Sequence, residues 1–176
     1  MAADQRIEAY AEAMFEVARA EGTIDEVEDE LFRFARALDG SDELRNALTD
    51  PHIPASRRQQ IVEDLLGPRA TSTTTALVSM VVGIGRGRDL PAIIDSLVKK
   101  SAASHNKAVA EVRSVAELNP VQLSRLTDAI EKATGKNVEV KVVIDPTILG
   151  GLVTTVGDTV IDGSVRTRLE QLKNVI

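Results

Sequence analysis

The chain has 176 residues, 43% of them hydrophobic, with no cysteine and a formal net charge of −6. The missing cysteines exclude disulfides and thiolate metal sites and suit a reducing compartment, while the acidic balance opposes binding to a nucleic-acid backbone. No run of about 18 apolar residues marks a transmembrane helix, and the N-terminal MAADQRIEAY, with charges of both signs and no apolar centre, is not expected to be a secretory signal.

The first two thirds predict helices. Asp4 to Glu21 carries Ile7, Ala11, Phe15 and Ala18 as one stripe at helical spacing, with Tyr10, Ala13, Met14 and Val17 beside it. Together they cover an arc of roughly 200°, about twice what one core contact requires. Either this helix lies deep in a bundle, or one edge of the arc serves a partner. Gly22 stops it. Thr23 to Leu38 is amphipathic, with Ile24, Val27, Leu31, Phe34, Ala35 and Leu38 inward. Asp25, Glu26, Glu28 and Asp29 are expected on a solvated face or complementing the N-terminal dipole.

Ser41 can cap a short helix through Leu48, and Asp50-Pro51-His52-Ile53-Pro54 turns the chain, because each proline moves its predecessor out of helical geometry. A fourth helix runs to Leu66 before Gly67-Pro68 ends it. Thr71 to Gly85 contains no charge, and Leu77, Val78, Met80, Val81, Val82 and Ile84 surround most of its circumference. That helix is either central or half of a partner groove; its threonines are weak helix formers, so tertiary packing must hold it. Gly83 to Asp89, GIGRGRD, invites comparison with a phosphate loop. It lacks the Gly-Lys-Ser/Thr ending and does not follow a strand, so it reads as an interhelical turn with a left-handed glycine cap. Leu90-Pro91 opens a sixth helix that fades near Ser104.

Beyond it the period changes. Lys107 to Val115 alternates like a strand, and Asn119-Pro120-Val121-Gln122 is a capping-box helix start leading to Gly135. Asn137 to Ile144 alternates again, and Asp145-Pro146 turns the chain. Leu152 to Val156 and Thr159 to Ile161 form a hairpin about Gly157-Asp158, and Ser164 caps a last helix with Val165, Leu169, Leu172 and Ile176 on one face. The fold class is α+β. A six-helix bundle (1–105) precedes a small C-terminal α/β domain (106–176) of strand, helix, three strands and helix.

No active site emerges. His52 and His105 lie in different regions, no G-x-S-x-G elbow exists, and Asp145, Asp158 and Asp162 each sit at a turn where Asp bonds local backbone. A nucleic-acid surface lacks both a basic majority and stacking aromatics. No cofactor or metal is expected.

Gly150 to Leu172, GGLVTTVGDTVIDGSVRTRLEQL, resembles the C-terminal motif of the ATP synthase delta (OSCP-like) family. YAEAMFEVA, Tyr10 to Ala18, resembles that family's first helix, and GRGRDLP, Gly85 to Pro91, the turn between its fifth and sixth helices. Thr154-Thr155 departs from the pattern, where members commonly place an apolar and then a charged residue; the departure is expected to be a surface detail. The resemblance implies a non-catalytic stator subunit of the F1Fo ATP synthase, held peripherally at the cytoplasmic face of the bacterial membrane. It would join the N-terminal helix of an α subunit to the b subunits of the peripheral stalk, so that proton-driven rotation couples to ATP synthesis. By position, α-subunit contact is carried to Tyr10, Ala13, Met14, Val17, Leu77, Met80 and Val81. For the b subunits, Arg166, Arg168 and Lys173 are candidates for an acidic partner, though solvation would equally account for them. The glycines at 150, 151, 157 and 163 are read as turn builders. A small adaptor of another complex, or a nucleotide-binding protein with a degenerate loop at Gly83 to Arg88, are the rival readings.

Overall fold

The structure, a computed structural model, describes residues 3–105, 107–148, 150–157 and 159–162; the predicted last helix lies outside them. Two compact units divide at Ser101/Ala102. The division falls inside the last turn of a helix, from which Ala102 O accepts the Lys107 N–H at 2.9 Å.

The first unit consists of α1 (Ala3–Glu21), α2 (Ile24–Gly40), α3 (Asp42–Thr49), α4 (Ala55–Leu66), α5 (Ser72–Gly83) and α6 (Leu90–Ser104). Its core is aliphatic: Met14, Leu31, Leu38, Leu48, Val62, Val78, Ile93, Ile94 and Leu97 are fully buried. α5 packs against α1, α2 and α4, which explains how a helix with three threonines in its first turn persists. Its N-terminus is also fastened. The Glu30 carboxylate of α2 accepts from the Thr71 N–H (3.0 and 2.9 Å), Thr71 Oγ1 (2.9 Å) and Thr74 Oγ1 (2.5 Å). Burial draws the Glu30 pKa upward, but these bonds and the Arg33 charge outweigh it, and the net shift is downward. Ion pairs from Arg36 to Asp95 and from Lys100 to Glu12 add links to α6.

Glycines end α1 and α5 by the same device. Gly22 (φ 70°) and Gly85 (φ 77°) are left-handed. The residues after them send their N–H groups back to Ala18 O and Val81 O at 3.0 Å, the six-to-one bond of a Schellman cap. One expectation is corrected. Glu28 is buried (2% exposed), because position 28 lies on the same side of α2 as Leu31, Phe32 and Ala35, so the buried arc is wider than the apolar letters suggest. On α4 only Val62 is buried, and Leu65 is 37% exposed.

In the second unit β1 (Ala108–Ser114), α7 (Pro120–Thr134), β2 (Val138–Ile144), β3 (Leu152–Val156) and β4 (Thr159–Asp162) build a sheet in the order β2-β1-β3-β4. β1 and β2 are parallel, a pairing that needs a crossover connection and has α7 as one, and the other pairs are antiparallel. α7 starts with the predicted capping box: Gln122 N–H to Asn119 Oδ1 at 2.9 Å, Asn119 N–H to Gln122 Oε1 at 3.0 Å. Ala110, Val112, Ile130, Val138 and Val156 form this unit's own core. Thr154 pairs with Val112 and is 4% exposed, so its departure from the family pattern falls at a buried position and not on the surface. The sheet's alternation decides this: residues 152, 154 and 156 share one face.

Candidate functional site

The residues carried over by position divide into two layers. Met14, Leu77 and Val81 are buried at 0%, 5% and 0% and lie beneath the surface of the first unit. Each belongs to the stripe its helix turns toward the bundle. Ala13 is exposed, Tyr10 half-buried, and Val17 and Met80 are 44% and 43% exposed. Tyr10, Ala13 and Val17 lie at i, i+3 and i+7, one continuous stripe of α1. On α5, Met80 has Ala76 and Ile84 one turn to either side, both of them exposed, Ile84 at 53%. These two extend the apolar stripe and were missed by position-matching; the i, i+4 spacing from Met80 was the signal that would have found them. α1 and α5 are packed neighbours. Each therefore carries an outward apolar stripe in addition to its buried one.

What holds this surface in place is rigid. α5 is anchored at its start by Glu30 and at its end by the turn into α6. Gly85 takes the left-handed geometry, and the Arg86 guanidinium pairs with Asp89 at 3.2 Å. Gly87 is buried against α3, where an added Cβ would lie 2.7 Å from the Leu48 carbonyl oxygen. These two glycines of GIGRGRD thus have structural causes: one backbone conformation and one close approach. On the α4 side, the Gln59 amide donates to Ser79 O at 3.2 Å, and a Cβ at Gly83 would strike that amide.

The remaining candidates resolve into turns. The Asp145 carboxylate accepts from the Thr147 hydroxyl (2.6 Å) and N–H (2.9 Å), and these bonds, with the nearby Arg113 charge, lower its pKa. Asp50 is likewise lowered by bonds from the His52 backbone and ring. Both are Asx turns. Among the described residues no group of acidic and histidine side chains could hold a metal ion, and no helix is long and apolar enough to cross a membrane. Arg166, Arg168, Lys173, Asp158 and Gly163 lie outside the described residues. Gly150, Gly151 and Gly157 all have positive φ, as turn builders require.

A family model described as "ATP synthase delta (OSCP) subunit" matches residues 7–176. The chain is 41% identical over 156 residues to the ATP synthase subunit delta of Streptomyces avermitilis, covering 89% of this chain and 57% of that one. It is 36% identical over 167 residues to the subunit of the same name from Desulforudis audaxviator, covering 95% and 92%. The chain therefore spans little more than half of the first relative and nearly all of the second. A chain in the cryo-EM structure of the Toxoplasma gondii mitochondrial ATP synthase hexamer shares the fold, with a TM-score of 0.59 at 21% identity, over 96% of this chain and 95% of that one. The match across nearly the whole length and the identity to named relatives make this chain a member of the ATP synthase delta (OSCP) subunit family.

Proposed function

We propose that this protein is a non-catalytic stator subunit of an F1Fo ATP synthase at the cytoplasmic face of the bacterial membrane. Its first unit would grip the N-terminal helix of an α subunit on the F1 head, and its second would meet the b subunits of the peripheral stalk. The observation that carries this reading is the pair of outward apolar stripes, Tyr10-Ala13-Val17 and Ala76-Met80-Ile84, on two helices in contact. An amphipathic helix laid along them offers anchors at i, i+3, i+4 and i+7. The buried Met14, Leu77 and Val81 form a firm floor, so little ordering is needed on binding. A stator bears the torque of the rotor, which calls for tight, slowly dissociating contacts and no reactive groups. Arg166, Arg168 and Lys173 are proposed as the cations offered to an acidic b-subunit surface.

The test is titration of a labelled α-subunit N-terminal peptide with the full chain and its Met80→Asp variant. Met80 is 43% exposed, so the variant is expected to keep its helical circular dichroism, while the bound state would have to bury an unpaired carboxylate. The peptide Kd is expected to rise about tenfold or more. Unaltered affinity in the folded variant would remove α1 and α5 from the interface.

A further inference from the structure

A second groove opens on the first unit between α2, the start of α3 and the end of α4. It has a volume of about 330 Å³, and its floor is Phe34, Leu44, Leu65 and Leu66. Arg33 and Arg69 stand exposed at its rim. The groove's α2 wall runs from Glu30 to Ala37, roughly 10 Å or two turns at the helical rise. Its lining carries two cations, Arg33 and Arg69, to one carboxylate. The one carboxylate on the wall, Glu30, already accepts the bonds from Thr71 and Thr74, whereas Arg69 forms no ion pair among the described residues. Arg33 donates from Nε to the Asp29 carbonyl oxygen at 3.2 Å, which leaves the rest of its guanidinium fork uncommitted by that bond.

We infer that this groove is a second docking site, for a two-turn amphipathic helix with apolar anchors at i, i+3 and i+4 and acidic residues on the flanks facing Arg33 and Arg69. The leucines supply the non-directional part of the contact, and the two guanidiniums select an acidic partner in a protein that is acidic overall. A contact of this length is weak alone and acts by avidity inside an assembly, where a neighbouring site fixes the effective concentration. It does not rest on the α1–α5 reading and stands or falls separately.

The test uses the full chain and two dye-labelled, N-acetylated helical peptides. Both carry leucine at i, i+3, i+4 and i+7; one is flanked by glutamates, the other by lysines. Fluorescence anisotropy is expected to show the glutamate peptide binding about tenfold tighter than the lysine peptide. Arg33→Glu with Arg69→Glu is expected to reverse that order. Leu65→Asp weakens the glutamate peptide about tenfold, and Ala37→Glu, at an exposed wall position, does the same if the first variant is poorly folded. Met80→Asp leaves the affinity unchanged. Equal binding of the two peptides, or sensitivity to Met80→Asp without sensitivity at Leu65 or Ala37, would overturn the site. A concentration-dependent dimer broken by Leu65→Asp would overturn the acidic-helix occupant in favour of a second copy.

Discussion

Glu30 joins two helices through a single carboxylate, and that makes its protonation state a property of the bundle. Its folded pKa lies below the ordinary value of 4.5. The stabilisation is therefore fully present above the unfolded pKa and is lost as pH falls through the folded one. Glu30→Ala is expected to cost about 1.5–3 kcal/mol in urea unfolding at neutral pH, the range for hydrogen bonds to a charged group. The gap between wild type and Glu30→Gln should close as the pH is taken below 4.5; a gap independent of pH would mean that packing, not charge, holds the contact. Gly87 makes a steric prediction. Its added Cβ would meet the Leu48 carbonyl oxygen at 2.7 Å, so Gly87→Ala should destabilise by about 1–3 kcal/mol through overpacking. Neither role was legible in the sequence. Glu30 is one of several acidic letters on α2, and a glycine needed for close approach looks the same as one needed for a turn.

At the scale of elements, starts and stops are legible wherever the signal is local. Asn119-Pro120-Val121-Gln122 gives the α7 capping box, and Asn119→Ala is expected to lower stability by about 1 kcal/mol, as thermal unfolding can measure. Gly22 and Gly85 end α1 and α5 because only a left-handed residue closes a Schellman cap without strain. The faces are less legible. On α1 and α5 the apolar letters nearly encircle the helix, and periodicity cannot say which stripe is covered. Burial separates them: Met14 and Val81 at 0% against Val17 and Met80 at 44% and 43%. Glu28 was placed outward for the converse reason, since a polar letter on a buried arc breaks the pattern that defines the arc.

At the scale of the whole molecule, each unit has its own hydrophobic core. A fragment comprising residues 1–105 is accordingly expected to unfold cooperatively and to bind the α-subunit peptide within about threefold of the full chain. A non-cooperative transition would show that the first core depends on the second unit. The sequence by itself determined the class, the order of the described elements and the family, because each rests on local period, composition or a contiguous motif. The tertiary structure alone decided which apolar side chains remain outside. Exposure depends on which helices pack together, and those contacts join residues far apart in the chain. It also decided that Glu30 fastens α5 and that Gly87 admits α3, since both are meetings of distant segments.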